Sequence, residues 1–207
     1  EYVLEYGYNF IELMPISEHP SDESWGYQIT GFFAPTSRYG TPKQLMEFVD
    51  KCHKHGIGVI VDFVPVHFAV DHYALTEYDG THLYEFPDFD TGYNEWGSRN
   101  FNNSKGEVRT FIQSAANYWL DMYHFDGLRM DAIRNMIYWQ GNEHRGENRN
   151  SIEFLKNMFE LILSHAYSFI FDHNTDVFLC FDQHDMNCRM IIRELDCIVQ
   201  KINQDLF

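Results

Sequence analysis

Positive charge is scarce in this sequence. Its 207 residues include 15 Lys and Arg against 31 Asp and Glu, which gives a formal net charge of −16. A field of that sign repels phosphate groups, so the composition argues against nucleic acid and against anionic membrane surfaces as partners. A neutral polymer such as a sugar chain is indifferent to the same field.

Several sequence signals are also absent. The 4 cysteines form no Cys-x-x-Cys pair and no Cys/His zinc spacing, so we expect reduced thiols, no metal and no cofactor. No apolar run is long enough to cross a membrane, and the first residues lack the basic start and apolar core of a secretory signal. We therefore expect a cytoplasmic protein.

Aromatic residues, in contrast, are abundant, with 18 Phe, 13 Tyr and 4 Trp. Most such rings belong to protein cores, but flat aromatic faces also stack on sugars. The run Ser-Trp-Gly-Tyr-Gln at 24–28 places two rings, Trp25 and Tyr27, in a loop. Two interpretations stay open: the rings anchor the loop, or they stack on a sugar.

Hydrophobic patterns alternate between strands and helices along the chain. Long loops follow the strands and short loops follow the helices, an asymmetry expected of a β/α barrel. A doubly wound open sheet would show the same alternation, although no phosphate-binding Gly-rich loop follows any strand. The predicted strands cover about 9–15, 57–61 and 126–130, and the predicted helices cover about 42–55, 107–124 and 151–164.

Charged residues stand at the ends of the second and third of these strands. Asp62 follows an apolar run, where a buried carboxyl needs partners, and His67 lies five residues further on. These two residues are either a hydrogen-bonded structural pair or part of a site. In the next strand, alternation places Arg129 and Asp131 on the same face. An Arg there keeps the carboxylate ionised and oriented, as a nucleophile at an anomeric carbon requires; the alternative is an ion pair that closes the barrel.

Together these runs resemble the α-amylase superfamily of glycoside hydrolases and transglycosidases. The runs 10–16, 62–67 and 126–131 are similar to the motifs of its second, third and fourth barrel strands. Loop motifs narrow the resemblance to glycogen branching enzymes, and they lie at 18–20, 25–31, 34–35, 38–40, 79–85 and 136–138. The resemblance covers roughly residues 1–164 and implies an α/β fold, an incomplete (β/α)8 TIM-type barrel from strand two to strand four or five.

The resemblance also implies a role for each candidate residue. Asp131 would be the nucleophile, and Arg129 would orient it. Asp62 and His67 would bind hydroxyls of the sugar at the cleavage point, and Tyr27 would stack under that sugar. The implied activity transfers α-1,4-glucan segments to α-1,6 positions of glycogen, with retention through a covalent intermediate and a glucan as partner. The alternatives are an α-amylase-like or trehalose-releasing hydrolase, a non-catalytic glucan-binding remnant, and a chain without function.

The C-terminal part departs from the family pattern. The family's acid/base Glu is not recognised, because Glu194, the only Glu after residue 166, lies in a helical pattern. Asp172 or Asp182 would serve only if a shorter carboxylate reached the leaving oxygen. We expect a partial catalytic barrel at 1–165 and a divergent tail of uncertain structure at 166–207. The family's first strand and its strands six to eight are missing from this sequence, so we expect the chain alone to be inactive.

Overall fold

The computed structural model describes residues 1–165, 168–171 and 177–180. Within those ranges the helices are α1 (Tyr2–Glu5), α2 (Pro42–Lys54), α3 (Phe89–Gly92), α4 (Gly106–Tyr123), α5 (Ile133–Ile137) and α6 (Arg149–His165). The strands are β1 (Phe10–Leu13), β2 (Ser17–Glu18), β3 (Gly31–Pro35), β4 (Gly58–Phe63), β5 (His67–Phe68), β6 (Arg99–Asn100), β7 (Gly127–Met130), β8 (Ser168–Phe171) and β9 (Val177–Cys180). Short 3₁₀ turns lie at Asp22–Ser24, Ser37–Tyr39, Trp139–Gly141 and Glu143–Arg145.

Three parallel strands, β1, β4 and β7, are neighbours in the main sheet. The sheet has the order β1-β4-β7-β9-β8, with β1 parallel to β4 and β4 parallel to β7. Helix α2 lies in the connection from β1 to β4, and α4 lies in the connection from β4 to β7. Parallel neighbours need such crossovers, so the predicted alternation is confirmed, with element ends within two residues of those expected.

The sheet departs from a barrel pattern after β7. Strand β9 is antiparallel to β7, and β8 is antiparallel to β9. Because five residues, 172–176, separate β8 from β9, the connection is too short for a helical crossover and the two strands pair as antiparallel neighbours. In the described part of the chain, the strand added beside β7 is therefore not the parallel fifth strand of a barrel.

Local sequence signals explain where α2 begins. Thr41 is the N-cap, and its hydroxyl accepts a hydrogen bond from the Gln44 backbone amide at 3.3 Å. The Gln44 side chain accepts in return from the Thr41 backbone amide at 2.8 Å, which completes a capping box. Pro42 occupies the first turn, where its missing N–H costs nothing.

The core lies between the parallel strands and their helices. Residues 59–63 of β4 are all buried, as expected for a strand that is covered on both faces. Helix α4 contributes Trp119, whose indole Nε1 donates to the Phe32 carbonyl at 3.1 Å. None of the helices in the described residues is long and apolar enough to cross a membrane.

The long segment between β4 and α4 is folded against the sheet rather than extended into solvent. Strands β5 and β6 pair within it, with His67 opposite Asn100. Glu85 and Arg99 are both buried there, and an Arg99 nitrogen lies 3.6 Å from a Glu85 oxygen. This segment and the loop between β1 and α2 follow adjacent strands, so both lie at the carboxyl edge of the sheet.

Candidate active site

Strand register brings three of the predicted site residues together. Asp62 in β4 pairs in register with Arg129 in β7. The Asp131 backbone amide donates to the Phe63 carbonyl at 3.0 Å, which fixes Asp131 directly after β7. Since β4 and β7 are parallel, all three side chains meet at the carboxyl edge of the sheet, as the sequence predicted.

One guanidinium nitrogen holds both carboxylates. Nη1 of Arg129 donates to Oδ1 and Oδ2 of Asp62 at 2.9 Å and 2.7 Å, and to Oδ1 of Asp131 at 3.0 Å. The Asp62 side chain is 1% exposed, whereas that of Asp131 is 21% exposed. Asp131 is therefore the more accessible carboxylate of the pair.

Tyr27 reaches the same cluster from the loop after β1. Its hydroxyl donates to Oδ2 of Asp62 at 2.6 Å and accepts from Nη1 of Arg129 at 3.2 Å. Gly26, at φ +90°, lets the turn pass close to β1, because a Cβ on Gly26 would lie 2.3 Å from the Pro15 carbonyl oxygen. This close approach carries Tyr27 inward to Asp62.

Burial and hydrogen bonding set the protonation of this cluster. Burial raises the pKa of Asp62, and the hydrogen bonds and charge of Arg129, together with the Tyr27 hydroxyl, oppose that rise. Burial and the hydrogen bond to Asp62 both raise the pKa of Tyr27, so its hydroxyl keeps its proton at neutral pH. Arg129 and Tyr27 thus both favour the ionised form of Asp62.

His67 is as buried as Asp62. It is 2% exposed, and its Nδ1 has no hydrogen-bond partner among the described residues. Its ring packs against Trp96, with centroids 5.4 Å apart. Burial lowers the pKa of His67 to about 4, so the imidazole is neutral at pH 7 and offers one donor and one acceptor. The structure gives His67 no hydrogen bond to Tyr27 or Asp62 in these ranges.

The two rings of the 24–28 run point in different directions. Trp25 has φ +54° and is 72% exposed, whereas Tyr27 contacts Asp62. Trp25 lines a surface groove of about 500 Å³ that also includes Met14 and Tyr39. The sequence-based interpretation took Trp25 and Tyr27 as one aromatic pair. In the structure, Tyr27 contacts the cluster of Asp62, Arg129 and Asp131, whereas Trp25 faces solvent.

Sequence reasoning missed two residues beside this site. Trp96 falls in a segment that read as a polar loop, and nothing in its neighbours marked it as a cover for His67. Gln28 lay within a recognised motif, but its contacts with Trp96 and Ser98 join positions about seventy residues apart. Within residues 1–165, 168–171 and 177–180, no group of three His, Cys, Asp or Glu residues is placed to hold a metal ion. The alternative acids Asp172 and Asp182, and Glu194, lie outside the described residues.

The sequence of this chain is similar to those of known proteins. Residues 1–96 match the family model of the α-amylase catalytic domain. A 1,4-α-glucan branching enzyme from Nitrosomonas eutropha is 50% identical over 172 residues, which cover 78% of this chain and 24% of that enzyme. Another from Trichormus variabilis is 50% identical over 175 residues, covering 79% and 23%. The chain thus spans about a quarter of the length of these relatives.

Solved structures agree on the fold. An α-amylase from Geobacillus thermoleovorans, complexed with acarbose, superposes with a TM-score of 0.60 at 23% identity, over 77% of this chain and 36% of that one. Trehalose-6-phosphate hydrolase from Bacillus licheniformis gives 0.65 at 22% identity, over 79% and 37%. These structures confirm the predicted fold class, part of a TIM-type β/α barrel. The chain is therefore similar over residues 1–96 to the α-amylase catalytic domain, and over 78–79% of its length it is similar in sequence to 1,4-α-glucan branching enzymes.

Proposed function

We propose that this chain is part of a 1,4-α-glucan branching transferase, which cuts an α-1,4-linked glucan and rejoins the segment through an α-1,6 link. The observation that carries the proposal is the Arg129 nitrogen that holds Asp131 beside the buried Asp62 at the carboxyl ends of β7 and β4. The 50% sequence identity to the branching enzymes of Nitrosomonas eutropha and Trichormus variabilis supports an α-glucan as the substrate.

In this proposal Asp131 is the nucleophile. A carboxylate oxygen of Asp131 forms a bond to the anomeric carbon while the bond from that carbon to the leaving glucan oxygen breaks. Arg129 keeps the carboxylate ionised and aimed, since its Nη1 lies 3.0 Å from Oδ1. A 6-hydroxyl of an acceptor glucan then attacks the same carbon, and Asp131 leaves. Two inversions retain the α configuration.

The remaining residues bind the sugar at the cleavage point. Asp62 is held by Arg129 and Tyr27, so its position is fixed before a substrate arrives. His67 is neutral at pH 7, so in this proposal it binds a sugar hydroxyl as an uncharged hydrogen-bonding group, and the Tyr27 ring offers a stacking face. A further carboxyl must protonate the leaving oxygen and later take a proton from the acceptor. We assign that role to none of the described residues.

Because none of the described residues is assigned as the acid/base, two other functions are alternatives to branching. A hydrolase of the same family would use the same nucleophile and differ in the attacking group, which would be water instead of a sugar hydroxyl. A glucan-binding remnant would keep the Tyr27 cluster and lack turnover. Both differ from branching in what they release, so one assay separates all three.

The test places this sequence in a complete barrel. In the Nitrosomonas eutropha enzyme, the matching stretch is replaced by residues 1–165, and the chimera is incubated with amylose. Branching lowers iodine staining without releasing reducing sugar, and we expect that result. Asp131→Asn should abolish the activity, whereas Asp121→Asn, the same change on the exposed face of α4, should leave it intact.

Three outcomes would overturn the proposal. Reducing sugar that appears as the iodine stain falls would indicate hydrolysis. Binding of glycogen by a chimera that melts cooperatively but has no turnover would indicate the glucan-binding remnant. Equal activity of the Asp131→Asn and Asp121→Asn chimeras would remove Asp131 from the chemistry.

A further inference from the structure

Gln28 bridges the two loops that carry the site. Its side-chain Nε2 donates to the Trp96 carbonyl at 3.2 Å, and its Oε1 accepts from the Ser98 hydroxyl at 2.7 Å. Gln28 belongs to the loop after β1, while Trp96 and Ser98 belong to the segment after β4. One amide therefore uses both its donor and its acceptor to join two loops of adjacent strands.

The partner of Gln28 is a tight turn. Oδ1 of Asn94 accepts from the backbone amides of Trp96 at 3.1 Å and of Ser98 at 3.0 Å. Gly97 has φ +75°, which suits this reversal. Asn94 and Ser98 are both buried. Because the turn is closed on itself, fixing Ser98 through Gln28 also fixes Trp96.

Trp96 in turn covers His67. The two rings are 5.4 Å apart and inclined by 39°. Trp96 is 47% exposed, whereas His67 beneath it is almost fully buried. The indole is therefore a partly exposed group that packs on His67, and we expect its displacement to open the imidazole to water.

On its other side, Gln28 is bonded directly to Tyr27. The Tyr27 hydroxyl donates to Asp62 at 2.6 Å. Through the backbone, Gln28 is joined to Tyr27, which contacts Asp62. Through its side chain, Gln28 contacts the turn that carries Trp96, which packs on His67. Asp62 and His67 are the two residues proposed to bind sugar hydroxyls.

We propose that Gln28 is a positioning residue of this site. Its amide fixes the turn 94–98 against the loop after β1, which holds Trp96 over His67 while Tyr27 stays on Asp62. The effect on His67 depends on these contacts alone. The consequence for catalysis rests on the proposed branching function.

The first test measures the accessibility of His67 in the 207-residue chain. Diethyl pyrocarbonate acylates neutral imidazole rings, and peptide mass spectrometry reports the rate at each histidine. We expect Gln28→Ala to raise the rate at His67 roughly fivefold to thirtyfold, the factor that a lost hydrogen bond produces. The rate at His19, which is also buried and lies in the same loop as Gln28, should not change. An unchanged His67, or an equal rise at His19, would overturn the proposal.

Conservative variants separate positioning from general stability. Gln28→Glu keeps an acceptor for Ser98 but loses the donor to Trp96, and Ser98→Ala loses only the bond at 2.7 Å, so both should give intermediate rates at His67. Gln44→Ala removes the capping box of α2 and is the matched glutamine control. If Gln44→Ala exposes His67 as much as Gln28→Ala does, the effect comes from global loosening and the proposal is wrong.

The second test uses the active chimera. If Asp62 and His67 bind the reacting sugar as proposed, their displacement in Gln28→Ala should lower kcat at least about tenfold, with a smaller change in KM. A chimera with Gln28 that does not branch refutes the proposed function and leaves the His67 result standing. A chimera whose kcat is unchanged by Gln28→Ala refutes the catalytic part of this inference.

Discussion

Loss of the Arg129 side chain tests the ion cluster most severely. Arg129→Met keeps a long side chain in place and removes the nitrogen that lies 2.7 Å and 2.9 Å from the two Asp62 oxygens. Asp62 would then be a carboxylate with 1% exposure that keeps the hydrogen bond from the Tyr27 hydroxyl. A buried carboxylate in that situation is strongly destabilising, because the charge has lost both water and its counterion.

The magnitude follows from burial. Removing one partner of a buried ion pair costs about 3–5 kcal/mol. The contact to Asp131 adds little, since that carboxylate is 21% exposed and water screens its charge. We therefore expect the free energy of unfolding at pH 7 to fall by about 4 kcal/mol. Burial already raises the pKa of Asp62, so the variant should regain part of the loss as the pH falls and Asp62 takes a proton.

Urea titration followed by circular dichroism measures this loss in the 207-residue chain. Asp62→Asn and the double variant complete a cycle, in which we expect a coupling energy of about 3 kcal/mol. Arg129→Lys should lie between wild type and Arg129→Met, because it keeps the charge and loses the planar fork. The reasoning fails if Arg129→Met costs less than about 1 kcal/mol, or if the two single changes are additive.

Three further predictions concern stability. Unfolding should become easier by about 3 kcal/mol between pH 6.5 and pH 4, because the unfolded imidazole binds a proton near 6.5 and folded His67 only near 4; His67→Phe should remove this pH dependence in urea titrations. Gly26→Ala should cost at least about 2 kcal/mol more than Gly80→Ala, since both have positive φ but only Gly26 would place a Cβ against Pro15; equal melting shifts would contradict this. Thr41→Ala should cost about 1 kcal/mol by loss of the capping box, and an unchanged melting temperature would refute that contribution.

Local periodicity was sufficient to predict part of the site. Alternation along one strand placed Arg129 and Asp131 on a shared face, and the structure confirms this with a 3.0 Å contact. Asp62 also lies where expected, since carboxyl ends of parallel strands meet at one edge. These predictions hold because they depend on a period of two residues and on strand direction, both of which are readable from sequence.

The contacts of the loops were not predictable in the same way. Nothing in the 24–28 run shows that Trp25 points to solvent and Tyr27 to Asp62; that depends on a positive φ at Trp25 and on the approach of Gly26 to Pro15. The bond between Gln28 and Ser98 joins residues 70 apart, and its formation depends on how two loops pack. Neither the directions of the two rings nor the bond between Gln28 and Ser98 can be read from the spacing of residues in the sequence.

The strands that follow β7 were predictable only in part. The sequence indicated a departure from the family pattern after residue 165, but gave no direction for the strands there. The antiparallel pairing of β9 with β7 became visible only in the backbone. The division into a barrel at 1–165 and a divergent tail at 166–207 stays a prediction, which limited proteolysis would test by cutting first after residue 165.

The central claim is that Asp131 forms a covalent bond to the sugar, and trapping that bond tests it most directly. A 5-fluoro-α-glucosyl fluoride needs no acid, because fluoride leaves without a proton, so the chimera can be treated and digested for mass spectrometry. The account predicts one glucosyl adduct, on the peptide that contains Asp131, and none in Asp131→Asn. An adduct on a different carboxylate such as Asp62, or a branching chimera that never forms an adduct, would contradict it.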